Sequence, residues 1–202
     1  GCGVTTICGA VRISQDRERR GSLWRRDGME LARQYARMNR ENQARHLMHI
    51  RWSTNFEPEP EIFDELAQFD CIGNLVYNDE TPGQRQFRNI DDIIKKRALR
   101  LDIPVDEMKQ KLQQEIERAS QINNRPRVRD RFAGKIVLGS HDDTTVEHVE
   151  EAVEMGCTVA EMPTTIEAAR RAKELGMLVV MGAPNYYRGG SHCGNLSCAE
   201  AM

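Results

Sequence analysis

The chain has 202 residues, enough for one domain or for part of a larger one. Its formal net charge is −2, so no global basic field directs it to nucleic acid or to an anionic membrane surface. No apolar run approaches the length that crosses a bilayer, and Gly1-Cys2-Gly3-Val4 lacks the basic start of a signal peptide.

The predicted elements alternate. Val4 to Ile13 reads as a strand, Arg25 to Glu41 as a basic amphipathic helix, Leu47 to Trp52 as a strand, Glu59 to Phe69 as a helix and Cys71 to Tyr77 as a strand. Ile90 to Gln121 then forms a long charged helical insertion, broken near Asp102-Ile103-Pro104 and ended by Arg125-Pro126. After it the rhythm tightens: strand Lys135 to Leu138, helix Thr145 to Met155, strand Cys157 to Ala160, helix Thr165 to Leu175, strand Met177 to Met181. Thr144-Thr145-Val146-Glu147 and Thr164-Thr165-Ile166-Glu167 both fit a capping box, and Gly156 and Gly176 close the helices that follow.

Such alternation predicts an α/β fold with a parallel sheet. About six strands are countable, against roughly eight in a complete (β/α)8 barrel. The expectation is one incomplete barrel domain over residues 1–202, an interior slice with a helical insertion around 90–122; a doubly wound open sheet is the alternative. The first and last residues read as if the chain were cut within the fold.

Six cysteines without CxxC spacing predict neither a zinc knuckle nor a disulfide framework, only small buried side chains in a reducing cytoplasm. In a parallel barrel, chemistry sits at strand C-termini and in the loops after them. His141, Asp142 and Asp143 meet that condition. His and Asp offer nitrogen and hard oxygen, a donor set for Zn, Mn or a similar ion. Equally, Asp142 and Asp143 could serve only to complement the helix N-terminus that follows.

On Leu47 to Ser53, alternation sends His49, Arg51 and Ser53 to one face and Met48, Ile50 and Trp52 to the other. A buried polar face needs a metal, a substrate or a hydrogen-bond network to satisfy it. Asp79, Glu80 and Arg85 flank the Pro82-Gly83 turn and form a candidate metal-plus-phosphate edge. Tyr186 to Asn195, with Arg188, Gly189, Gly190 and His192, is a candidate phosphate cradle, a weak signal alone. His148, inside a helix, is expected at the surface.

Four runs together carry more information: Ser140-His141-Asp142-Asp143; Glu161-Met162-Pro163-Thr164-Thr165 with Glu167-Ala168-Ala169-Arg170; Met181 to Asn185 with Arg188 to Asn195; and Thr81-Pro82-Gly83-Gln84-Arg85-Gln86. Taken in chain order they resemble the metal-dependent, amidohydrolase-fold diphosphatases of the phosphonate-degrading carbon–phosphorus lyase pathway. The resemblance implies a barrel enzyme using one or two divalent ions (Zn, Mn or similar). It also implies a small phosphorylated substrate, ribose 1-methylphosphonate 5-triphosphate, cleaved to the 5-phosphate and pyrophosphate. Carried over residue by residue, it gives His141 and His49 as metal-site candidates, with Glu80 in place of a family His as a third. On our own reading of the residues, Asp142 or Asp143 is the proton acceptor, and Arg85, Asn185, Arg188 and His192 suit substrate binding.

Two positions depart from the family pattern. Ser53 stands where the family has Glu, and Glu80 where it has His. The family's early His-containing metal motif and its late Asp fall outside this sequence. These departures keep two rival readings in play: hydrolysis of a C–N bond on the same fold, or a non-catalytic homologue that binds a phosphorylated ligand. A cytoplasmic location and no nucleic-acid or membrane partner are expected; homo-oligomerisation is left open.

Overall fold

The computed structural model describes residues 3–14, 25–41, 44–58, 60–191 and 195–201. Six strands, β1 (Thr6–Ile13), β2 (Arg45–Ser53), β3 (Ile72–Asn78), β4 (Val137–His141), β5 (Val159–Glu161) and β6 (Leu178–Val180), form one sheet. All neighbours are parallel and the spatial order is the chain order. A doubly wound sheet reverses its strand order at a switch point. No reversal occurs among these six, so the arrangement is that of consecutive barrel strands.

Between the strands run α1 (Arg25–Glu41), α2 (Pro60–Leu66), α3 (Ile90–Leu101), α4 (Val105–Ser120), α5 (Arg125–Phe132), α6 (Val146–Glu154) and α7 (Ile166–Glu174). Short helices α8 (Ala183–Tyr187) and α9 (Cys198–Ala201) follow β6. Among the described residues no helix is long and apolar enough to cross a membrane.

Strand alternation divides the sheet as the sequence predicts. Val11, Ile13, Met48, Ile50, Trp52, Leu75, Tyr77, Leu138 and Ala160 are buried in the main core with Phe63, Leu66, Phe132, Val149, Ala168 and Ala172 from the helices. Full burial of each large apolar side chain contributes roughly 1.5–3 kcal/mol. The opposite face carries His49, Arg51, His141 and Glu161 into a cavity. A register shift between Met48 and His49 skips Gly73, so Met48 pairs with Ile72 but His49 with Asn74. A side chain at Gly73 would crowd Leu47 (Cβ to Cβ 3.2 Å), and the bulge brings Asn74 opposite His49.

The insertion is a helical hairpin with its own small core of Ile94, Ala98, Met108 and Leu112. It turns at Asp102, which takes a left-handed backbone (φ 54). Arg125-Pro126 does not end the helical region, contrary to expectation. It opens α5, because a proline in the first turn lacks only an N–H that has no helical partner there.

The capping pattern also shifts by one. Thr145 and Thr165, the second threonine of each pair, are the N-caps and accept from the N–H of His148 and Ala168. The first threonines instead meet each other, with Oγ1 atoms of Thr144 and Thr164 2.8 Å apart. His148 is half-buried rather than on the surface: its Nδ1 accepts from the Thr144 N–H at 3.3 Å. Cys71, Cys157 and Cys198 are buried and free, as expected, whereas Cys8 is exposed and lines the cavity.

Candidate active site at the strand C-termini

The tight rhythm after the insertion is a twenty-residue repeat. His141-Asp142-Asp143-Thr144-Thr145 on the β4 side corresponds to Glu161-Met162-Pro163-Thr164-Thr165 on the β5 side. Asp142 (φ 60) and Met162 (φ 53) take the same left-handed turn at equivalent positions. His141 and Glu161 therefore pair in register as the last residues of adjacent strands.

Two strands further along, β2 supplies His49. Its Nε2 lies 3.2 Å from Glu161 Oε2, and its Nδ1 lies 3.1 Å from the Asn74 amide. His141 Nε2 is 4.0 Å from the same Glu161 oxygen, and its Nδ1 is 2.7 Å from Asp142 Oδ2. Neither His49 Nε2 nor His141 Nδ1 completes a hydrogen bond in these approaches. Burial pushes the Glu161 carboxyl up, but the His49 contact and the charges of His49, His141 and Arg51 outweigh it and hold it below the usual carboxylate range.

The paired aspartates part company. Asp142 faces the cavity beside His141. Asp143 is fully buried, accepting from Arg85 and from the Ser140 hydroxyl. Arg85 is buried with it, donates also to the His141 carbonyl at 3.3 Å, and does not line the cavity. Asp143 and Arg85 thus brace the end of β4.

Glu80 is engaged elsewhere. It accepts from the Arg12 guanidinium at 2.7 Å and from the Asn78 amide at 2.8 Å. Ser53 is buried and donates its hydroxyl to Asn55 at 2.8 Å. A cation at Glu80 would have to displace a guanidinium, and a serine hydroxyl is a poor replacement for a bridging carboxylate. Among the described residues no group of three or more His, Cys, Asp or Glu side chains is disposed to hold a metal ion. The donors present do not fit the metal centre that the resemblance implies.

The cavity has a volume of about 650 Å³. Met162, Pro184, Asn185, Arg188 and Ser191 are among its lining residues. Asn185 is also a structural staple, donating to the Leu196 carbonyl and accepting from the Cys198 N–H, both at 2.9 Å. Arg188 lines the cavity and is exposed. His192 lies outside the described residues.

Glu161 and Arg51, neither of them among the candidate site residues read from the sequence, both line the cavity. The repeat was the available signal for Glu161: a residue twenty positions after a strand-end histidine, before the same Thr-Thr, occupies the same level of the sheet. Arg51 was legible only as a member of the polar face.

No family model matches the chain. Over 201 residues, 98% of the chain, it is 34% identical to alpha-D-ribose 1-methylphosphonate 5-triphosphate diphosphatase of Escherichia coli (strain K12). The chain spans about half (53%) of that protein's length. With the sequential parallel sheet and the strand-end site, this similarity identifies the chain as a homologue of that diphosphatase.

Proposed function

We propose that the chain carries the hydrolytic site of a phosphonate-metabolism enzyme. The site cleaves a phosphoanhydride of ribose 1-methylphosphonate 5-triphosphate to give the 5-phosphate and pyrophosphate. The observation that supports this most is the convergence of His49, His141, Asp142 and Glu161 on one cavity at the strand ends.

His141 is the general base. Asp142 beside Nδ1 favours the proton there, leaving Nε2 to take a proton from water. The water oxygen forms a bond to phosphorus as the bridging P–O bond breaks, and the bond pair leaves with pyrophosphate. Asp142 and Glu161 stabilise the resulting imidazolium, and Glu161 fixes His49 at the cavity wall. Arg188, exposed on the cavity lining, meets phosphate charge.

The test is pyrophosphate release from the triphosphate by the full protein, with and without added Mn or Zn. Release establishes the diphosphatase reading. A folded protein that leaves the triphosphate intact under both conditions overturns it.

A further inference from the structure

Two arginines lie side by side on the cavity face, Arg12 on β1 and Arg51 on β2, paired in register. Their partners differ in charge. Arg12 meets the Glu80 carboxylate at 2.7 Å. Arg51 donates from Nη2 to the Asn78 side-chain carbonyl at 2.8 Å, and among the described residues no carboxylate forms an ion pair with it. The Asn78 orientation is set by its other end, because its amide donates to Glu80 at 2.8 Å. The relay Arg12–Glu80–Asn78–Arg51 therefore neutralises the first guanidinium and holds the second with a neutral group.

Arg51 keeps its charge, since a guanidinium is not deprotonated in a protein. Its Nε is buried and lacks a hydrogen-bond partner, and the side chain lines the cavity. A buried donor without an acceptor is destabilising, and more so when it belongs to a charged group. A bound anion removes that penalty, and a tetrahedral oxyanion matches the fork of a guanidinium. Asp142 and Glu161 lie near enough to act on Arg51 through space, but each is already in contact with a histidine.

We propose that Arg51, fixed by Asn78, is the seat of an oxyanion subsite on the cavity wall, binding a phosphoryl or phosphonyl group. The Arg12–Glu80 pair acts as its brace. The proposal rests on the hydrolase reading in naming where the anionic part of that substrate sits. Two sources share this chemistry: the phosphate chain and the phosphonate.

The experiment is calorimetric titration of the full protein with inorganic pyrophosphate and, separately, with methylphosphonate. It compares the unchanged protein with Arg51→Gln and with Asn78→Asp. The second variant puts a carboxylate against Arg51 without removing it, and circular dichroism checks that each variant folds. Binding of at least one probe should weaken about tenfold or more in both variants. The probe that loses affinity identifies which group occupies the subsite. Undiminished binding of both probes by a folded variant, or no binding of either by the unchanged protein, overturns the proposal. Arg51-dependent binding without triphosphate turnover keeps the subsite and removes the hydrolase reading. Turnover with undiminished binding in folded variants does the reverse.

Discussion

His49 Nε2 and Glu161 Oε2 are 3.2 Å apart although β3 and β4 lie between their strands. Three strand spacings of about 4.8 Å separate β2 from β5 along the sheet. On a flat sheet, side chains stand roughly perpendicular and would remain about 14 Å apart. The contact therefore measures the curvature of the sheet: the strands wrap around the site as barrel strands do.

The same pair sets a pH dependence. Glu161 has a folded-state pKa below its ordinary 4.5, so the unfolded chain binds that proton more tightly. Its stabilisation is complete above the unfolded value and fades as pH falls through the folded one. The melting temperature of the unchanged chain should exceed that of Glu161→Gln near neutrality, and the gap should close below about pH 4.5. Melting curves from pH 7 to pH 3 check this; a gap independent of pH contradicts it.

Asn124 joins the end of the helical insertion to β2. Its carbonyl accepts from the Trp52 indole at 3.0 Å, and its amide donates to the Ser53 and Phe56 carbonyls at 3.1 and 2.8 Å. Asn124→Ala strands a buried indole N–H and removes the donor to two buried carbonyls. Denaturant unfolding should show a loss of roughly 2–4 kcal/mol. A loss below about 1 kcal/mol would mean that water replaces the amide.

Gly139 lies two residues before His141 in β4. A Cβ there would sit 2.6 Å from Val76 Cγ1 and 3.0 Å from the Val159 carbonyl oxygen. Gly139→Ala must shift β4 against β3 or β5, costing roughly 1–3 kcal/mol. It should also displace His141, so kcat should fall with stability. Unchanged unfolding in denaturant would show that the strands have slack at this level.

Much of this architecture was legible in the sequence because β/α alternation reports directly on local physics. The strands β4 and β5 are each followed by a Thr-Thr pair, Gly156 and Gly176 precede β5 and β6, and the break at Asp102-Ile103-Pro104 was readable from proline alone. The misread signals were those with two physical meanings. Pro126 can stop one helix or start the next, and its place in the first turn of α5 decides for starting. The placement of the site residues was harder to read because it depends on partners distant in sequence. Glu80 follows a strand and looks like a ligand, but Arg12, 68 positions earlier, engages its carboxylate. Arg85 looks like a phosphate fork, but Asp143, 58 positions later, holds it inside. His141 needed no such partner to be noticed, because a strand-end histidine already sits where a barrel keeps its chemistry.

Hydrolysis at this site depends most directly on His141 as the base beside Asp142. The decisive measurement is kcat for pyrophosphate release by His141→Asn in the full protein, with its melting temperature taken alongside. A fall of about 10²–10⁴ with little change in melting temperature is the expected result. An unchanged kcat in the folded variant would contradict the mechanism and remove His141 from the chemistry.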